Sequence, residues 1–439
     1  MVNVAPTALG ADSPQEGFVP EGPDRERLQA RTVKVLMSSQ VFGGMGLVAG
    51  YIPAALLAKE ITGSATLAGL AAAMLSVGSS TAAFPLASYM YRHGRRPGMR
   101  LGYLVGAMGA GAAFASALLS FFPLLLLGVA GVGVGLACNL SARYAAADLA
   151  VEERRAQSIG TIVWASTIGS ASGSFVALAV ATGVAAWVGL PELAGPYVLS
   201  STIFLVAAAI VHTQLRPDPL VASGGLNTAP RTESKRAELK QAAKLILAKP
   251  QARIAVAAMI TSQVVMVGVM TMTPLHMDAG GQAKSTIGLM MTIHILGMYL
   301  FSPVIGWLSD RFGRLPMIAI GAMLLIIGAE FAARTDAMHS PGVIVGNFFI
   351  GLGWGFGVIA GSSLLTESFV VEQRVSVQGA ADLAMSGCGA IGGLASGSIV
   401  ALRGYAELGR YAIIVAAVLL IATAWHRVRA DGRELQPTA

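Results

Sequence analysis

The stretch Gly306-Trp307-Leu308-Ser309-Asp310-Arg311-Phe312-Gly313-Arg314 decides the fold, because it is a short basic turn between two long apolar segments. A partial copy of it lies 219 residues earlier in the chain. The matched pairs are Arg92 with Arg311, Gly94 with Gly313, Arg95 with Arg314 and Pro97 with Pro316. The copy lacks two features, since Ala87 stands in place of Gly306 and Tyr91 in place of Asp310.

The same shift extends far beyond the turn. It also aligns Gly69-Leu70 with Gly288-Leu289, Gly78 with Gly297, Asp148 with Glu367, Gly160 with Gly379 and Gly173 with Gly392. One shift that holds over several consecutive apolar segments indicates a duplicated unit. We therefore predict two similar halves in the same orientation, with a binding site between them.

The composition places both halves in a membrane. The 439 residues are 54% hydrophobic and only 12% charged, whereas a soluble domain is about 25% charged. Continuous apolar runs of about 20 residues predict helical spans and exclude a soluble enzyme, a disordered chain and a membrane β-barrel. Cys138 and Cys388 lie in different apolar segments, so no disulfide framework is expected.

We predict an all-α membrane protein with twelve transmembrane helices. The predicted spans are 33–58, 64–90, 99–121, 122–145, 156–188, 196–215, 252–276, 286–307, 315–333, 341–366, 376–401 and 408–426. The predicted parts of the chain are a disordered tail at 1–32, a six-helix bundle at 33–216, a linker at 217–250, a second bundle at 251–427 and a tail at 428–439. Within the linker, the spacing of Leu239, Ala243 and Leu247 predicts an amphipathic helix on the membrane surface.

The basic residues set the orientation. The net charge is +7, but the arginines and lysines lie in alternate loops, which is typical of the positive-inside rule rather than of nucleic-acid binding. Of the 30 basic residues, five fall in the other loops, and these are Lys59, Lys284, Arg334, Arg403 and Arg410. Both termini are therefore expected on the cytoplasmic side of the membrane, and the family resemblance given below implies a multi-pass protein of a bacterial inner membrane.

The basic turn resembles the loop signature of the major facilitator superfamily. The resemblance covers the chain beyond residue 32 and implies two six-helix bundles related by a pseudo-two-fold axis, a monomer, and transport by alternating access. The turn would help to latch one conformation shut, with Asp148 and Glu367 as partners for its arginines. The expected gate residues are Gly306, Asp310, Arg311, Gly313, Arg314, Arg92, Arg95, Asp148 and Glu367.

Methionine and histidine are concentrated in the seventh and eighth predicted spans. Met266 and Met270 are one helical turn apart, as are His294 and Met298, and Met290 extends the second stripe by a turn. Thioether and imidazole ligands favour Cu(I), and an ionisable side chain within a span indicates function. The alternative is that these methionines fill space in the core and His294 alone contacts a substrate.

Two further residues are candidates for weaker reasons. His276 follows Pro274 at the outer end of the seventh span, where it could capture an entering cation. Asp382 lies in the eleventh span and is the best candidate for a proton-coupling acid. No phosphate-binding Gly-x-x-x-x-Gly-Lys loop is present, so ATP is not expected to drive the process directly.

The pairing and separation of Met266 and His294 resemble the copper-importing, CcoA-like branch of the superfamily. That resemblance implies copper uptake for the assembly of cbb3-type cytochrome oxidase, with copper as the substrate and no prosthetic group. A related branch transports riboflavin, so a small organic solute or drug is the alternative substrate. A third hypothesis is a sensor that kept the fold without transporting.

Overall fold

The computed structural model describes residues 22–226 and 234–434, which form helices and connecting turns without any β-strand. The helices of the first half are α1 (Gly22–Thr62), α2 (Ala65–His93), α3 (Arg95–Leu119), α4 (Phe122–Ala147), α5 (Arg155–Phe175) and α6 (Gly195–Gln214). The linker holds α7 (Lys235–Ala248). The second half contains α8 (Pro250–Ala279), α9 (Lys284–Tyr299), α10 (Ser302–Phe312), α11 (Arg314–Arg334), α12 (Ser340–Glu367), α13 (Val371–Arg403) and α14 (Tyr405–Glu434).

Eleven helical segments of the described chain are long and apolar enough to cross a membrane. The predicted fifth span is not among them, although its residues are helical. There α5 ends at Phe175 and continues through a π-helical stretch, Val176–Ala181, into a short helix, Thr182–Trp187. The serine- and glycine-rich run at 169–174 lowers the hydropathy of this segment.

Glycines allow the helices of each half to pack closely. An added Cβ at Gly78 would lie on the backbone carbonyl of Ala130, so α2 and α4 touch through their backbones. The turns before α3 and α11 depend on glycine for another reason. Gly94 and Gly313, which match across the repeat, have φ of 97° and 91°, a region that residues with a Cβ rarely adopt.

The structure is helical over part of the predicted disordered N-terminal tail. Residues 22–32 are helical rather than disordered, because Arg25 Nε donates to Leu149 O at 2.9 Å and Gln29 Nε2 donates to Ala146 O at 2.7 Å. At the other end, the last helix continues beyond residue 428, where a cytoplasmic tail is predicted, as far as Glu434. The rest of the predicted tails, 1–21 and 435–439, lies outside the described residues.

The linker helix α7 exists where the sequence predicted one, but its buried face differs from the predicted one. Ala242 and Ile246 are buried, whereas Leu247 is 66% exposed. The helix packs on α8 and α13 of the second half and also touches α2 of the first half. The buried face of α7 is therefore the face that packs on the neighbouring helices, and not the one predicted to lie on the membrane surface.

Two matching interfaces join the halves at the end of the molecule that carries the basic turns, which we call the motif end. In one, α2 packs on α13, with Ala87 against Gly379. In the other, α5 packs on α10, with Gly160 against the backbone of Ser302. The repeat relates Gly160 to Gly379, so the two interfaces are equivalent by the internal symmetry of the chain.

The glycine packing predicts that the same change, glycine to alanine, has a large effect on stability at one position and little effect at another. Gly78→Ala is expected to destabilise the protein by about 1–3 kcal/mol, because α2 and α4 must separate to admit the methyl group. Gly111→Ala is the matched control, since nothing lies within 4 Å of its added Cβ. Thermal unfolding in detergent measures both changes. Equal melting temperatures for the two variants would contradict the packing.

Candidate functional site

A small cavity of about 50 Å³ lies between the two halves. Helices α1, α4 and α5 of the first half form one wall, and α9 and α12 of the second half form the other. Its lining residues are Gln40, Gly44, Leu47, Leu136, Asn139, Leu140, Arg143, Ile162, Val163, Ser166, Ser170, Tyr299, Trp354 and Val358. The first half therefore supplies amide, hydroxyl and guanidinium groups, and the second half supplies aromatic rings.

The polar wall holds an unused hydrogen-bond acceptor. Gln40 is 5% exposed, and its Nε2 donates to Ser166 Oγ at 2.9 Å, while its Oε1 is buried without a partner. Asn139 lies against the same helix at Gly43 and is held by Tyr103, whose hydroxyl donates to Asn139 Oδ1 at 2.8 Å. A buried acceptor without a partner is costly, so a ligand with a donor group would stabilise this site by bonding to Oε1.

The aromatic wall is fixed by its own contacts. The rings of Tyr299 and Trp354 meet edge to face, with centroids 5.6 Å apart. Trp354 Nε1 donates to Gln263 Oε1 at 2.8 Å, which fixes the indole orientation. A rigid edge-to-face pair offers an apolar surface for a ring or an alkyl group.

A buried ion pair between Arg143 of α4 and Asp382 of α13 crosses from one half to the other. Both residues are nearly inaccessible, with 1% and 3% of their surface exposed. Arg143 Nε also donates to Ser362 Oγ at 3.0 Å, and the hydroxyl of Tyr144 donates to Asp382 Oδ1 at 3.2 Å. This cluster ties the halves together beside the cavity, because Arg143 also belongs to its lining.

Sequence reasoning identified Asp382 but missed Arg143. Two signals could have found it. Arg143 is a lone charge in an apolar helix, which is costly unless it has a function or a partner. The shift of 219 residues also pairs Arg143 with Ser362, and the structure brings those two side chains into contact across the internal symmetry axis.

Two ion pairs related by the repeat lie at the motif end. Arg95 donates to Asp148 through Nε at 2.8 Å and Nη2 at 3.1 Å. Arg314 donates to Glu367 through Nε at 3.0 Å and Nη2 at 2.7 Å. The structure thus places the predicted carboxylates against the predicted arginines.

Each of these arginines also reaches the other half. Arg95 Nη2 donates to Gln378 Oε1 at 2.8 Å, and Arg314 Nη2 donates to the carbonyl of Glu152 at 2.8 Å. Within each half the carboxylate holds the guanidinium in place, and the guanidinium then bonds across the interface. The two ion pairs therefore stabilise the closed motif end.

Asp310 caps a helix of the opposite half. Its carboxylate accepts from the backbone N–H groups of Ala156 and Gln157 at 3.0 and 2.8 Å, at the start of α5. No side chain of α5 itself caps this end. A carboxylate at a helix N-terminus satisfies free N–H groups and complements the helix dipole. Gly306 permits the approach, because an added Cβ would meet the carbonyl of Ala156.

The other predicted gate residues have different surroundings. Arg311 is exposed and lies over the rings of Trp307 and Phe312, with its guanidinium carbon 5.6 and 5.8 Å from their centroids. Arg92 is half-buried near the end of α2. Gly313 supplies the positive φ of the turn.

The predicted metal ligands do not line the central cavity. Met266, Met270 and Met298 pack in the apolar core of the second half, and Met290 packs in a separate cluster with Met277. Within the described residues, no group of three or more His, Cys, Asp or Glu side chains could hold a metal.

The two histidines of this region lie in different environments. His294 is fully buried, with Nδ1 2.8 Å from the carbonyl of Asn347 in α12 and Nε2 without a partner. His276 stacks on Tyr405 with ring centroids 4.0 Å apart. The Tyr405 hydroxyl is hydrogen-bonded to Thr273 Oγ1 at 2.7 Å, so this group joins α8 to α14.

Comparison with known proteins gives consistent matches over the chain. The sequence model of the Major Facilitator Superfamily matches residues 35–283 and 277–438. The uncharacterized MFS-type transporter YddS of Bacillus subtilis is 35% identical over 416 residues, which cover 94% of each chain. The riboflavin transporter RfnT of Brucella anthropi is 26% identical over 396 residues, covering 89% of this chain and 94% of the relative.

Solved structures share the fold at low sequence identity. The human organic anion transporter MFSD10 superposes with a TM-score of 0.71 at 16% identity, covering 92% of this chain and all of that one. FucP in its outward conformation gives a TM-score of 0.64 at 15% identity over 90% of this chain and 98% of that one.

The buried ion pair gives a double-mutant prediction. Arg143→Met or Asp382→Leu alone is expected to destabilise the protein by about 3–5 kcal/mol, because the remaining charge is left buried and unpaired. The double variant is expected to be more stable than either single variant, since no charge remains in the site.

Thermal unfolding in detergent measures this cycle. Arg410→Met is the control at the exposed pair with Glu407 and is expected to lose less than about 1 kcal/mol. Additive losses in the double variant would show that the two charges do not depend on each other.

Proposed function

The chain belongs to the major facilitator superfamily and is a secondary transporter, and we propose that it carries a small organic solute through the central cavity by alternating access. Members of this family are transporters rather than enzymes. The observation that carries the proposal is the chemistry of the cavity lining, which combines Gln40, whose buried Oε1 has no partner, with the aromatic rings of Tyr299 and Trp354.

The cavity chemistry favours a solute that has both a hydrogen-bonding edge and an apolar face. Gln40 Oε1 would accept from the solute, while Tyr299 and Trp354 would contact its ring or alkyl part. Riboflavin, the substrate named for the relative from Brucella anthropi, combines a planar ring system with an amide edge. A volume of about 50 Å³ admits only a few water molecules, so such a solute would enter when the halves separate.

Opening would take place in turn at the two ends of the molecule. The loops at the motif end carry most of the basic residues, which favours a cytoplasmic position for this end. Closure of the motif end therefore corresponds to a state shut toward the cytoplasm of a bacterial inner membrane, with both termini on that side. Membrane lipid surrounds the helices, and the monomer is the expected unit.

Asp382 is proposed as the coupling acid. Its ion pair with Arg143 crosses between the halves, so the pair must break before the motif end opens. A proton on Asp382 would neutralise the carboxylate and remove the attraction that resists this separation. Proton binding from the outer side would then favour release of the solute to the cytoplasm.

Copper uptake remains the second candidate. Two observations favour it, namely the packing of Met266, Met270 and Met298 in one core and the free Nε2 of the buried His294. As soft neutral ligands they would suit Cu(I) as a transported substrate, with His276 nearer the outer end. Because none of them lines the central cavity, the organic solute has the stronger support.

Parallel uptake of labelled riboflavin and labelled copper separates the two substrates in cells that lack their own importers. Gln40→Ala is expected to lower riboflavin uptake about tenfold, because one hydrogen bond in a buried site is lost. Gln214→Ala is the matched control, since Gln214 is exposed at the end of α6. The same uptake in both variants would contradict the cavity assignment.

The copper arm uses His294→Ala and the double change Met266→Ala, Met270→Ala. Met338→Ala is the control, because Met338 is 72% exposed. Copper uptake by the native chain that disappears in these variants, with no riboflavin uptake, would replace the organic-solute proposal by the copper one.

Coupling is tested separately with Asp382→Asn. This variant is expected to lose accumulation driven by a proton gradient but to keep exchange of labelled for unlabelled solute, because an amide cannot titrate. Uptake into proteoliposomes with and without a pH gradient measures both activities. Asp24→Asn, at an exposed position of α1, is the control. Gradient-driven accumulation that survives in Asp382→Asn would assign coupling to another group.

A further inference from the structure

The two interfaces at the motif end are equivalent by the repeat but are not closed by the same residues. At the α5–α10 interface, Asp310 of the basic turn accepts from the backbone of Gln157. At the α2–α13 interface, the residue that matches Asp310 is Tyr91, which carries no charge. The second interface therefore lacks the motif carboxylate.

The linker helix α7 brings a carboxylate to that place. Glu238 Oε2 accepts from Ser88 Oγ at 2.7 Å, and Oε1 accepts from Ser376 Oγ at 3.4 Å. Ser88 lies one helical turn before Tyr91 on α2. Ser376 of α13 matches Gln157 across the shift of 219 residues. Glu238 thus bridges α2 and α13, and on the α13 side it bonds at the position that matches Gln157, which Asp310 contacts in the other interface.

The rest of α7 holds Glu238 in this position. Ser234 caps the helix by accepting from Ala237 N at 3.3 Å, and Ala242 and Ile246 are buried against the protein. Lys249, at the end of α7, donates through Nζ to the carbonyl of Ser368 at 2.5 Å. Glu238 is also the only acidic residue of this basic helix, which carries Lys235, Arg236, Lys240 and Lys244.

We propose that Glu238 is a positioning residue that replaces the missing motif aspartate and holds α2 against α13 when the motif end is closed. The linker is then a working part of the gate as well as a connection between the halves. This role does not depend on the substrate, so it stands or falls separately from the proposed function.

Hydrogen–deuterium exchange of the purified full chain in detergent tests the proposal without any substrate. Glu238→Ala is expected to raise the exchange rate about tenfold in peptides that cover 84–93 and 371–380, since two hydrogen bonds to a charged group are lost. Exchange at the start of α5 is expected to stay unchanged, because Asp310 still caps it. Lys240→Ala is the matched control on an exposed position of α7.

A double variant that restores the motif aspartate gives the decisive test. Tyr91→Asp combined with Glu238→Ala is expected to return the exchange rates of both peptides toward native values. The single variant Tyr91→Asp shows how much that substitution changes the exchange rates by itself. Ser376→Ala, which keeps the glutamate, is expected to give a smaller increase than Glu238→Ala. The proposal is overturned if Glu238→Ala leaves both peptides unchanged, or if it raises exchange equally along the whole chain without rescue by Tyr91→Asp.

Discussion

A charge that leaves water must find a partner, and this constraint organises the closed end of the molecule. Arg143 and Asp382 are both buried, and neither could remain ionised there alone. Their pairing requires the two halves to come together, because each half contributes one member. The ion pairs of Arg95 and Arg314 follow the same rule at the motif end, where a carboxylate of the same half orients an arginine that then bonds to the other half.

The duplicated sequence explains why these contacts occur in matched sets. Residues close to the symmetry axis meet their own repeat partners, as Arg143 meets Ser362. Residues farther from the axis form two equivalent interfaces, and there the halves have diverged. Asp310 closes one interface from within the basic turn, whereas the other contains Tyr91 and receives Glu238 from the linker. The repeat determines where each interface needs a carboxylate, but it does not determine which helix supplies that carboxylate.

The sequence was sufficient for the helical architecture, the repeat and the partners of the motif arginines, because all of these follow from hydropathy and one constant shift. It was insufficient wherever the direction of a side chain decided the outcome. A spacing of four residues places His294 and Met298 on one face of α9, yet it does not say that His294 turns to Asn347 within its own half. For α7 the predicted apolar stripe at Leu247 is exposed, because packing against two halves selected Ala242 and Ile246 instead.

The cap that Asp310 places on α5 links the opening of the gate to the stiffness of a helix. When α10 moves away, the first N–H groups of α5 lose their acceptors and no side chain of α5 replaces them. The first turn would then fray, and its added conformational freedom would offset part of the electrostatic energy that is lost. The two interfaces would consequently resist separation differently. The α5–α10 interface would open gradually as the first turn of α5 frays. The α2–α13 interface would open in one step, when the side-chain bonds of Glu238 break.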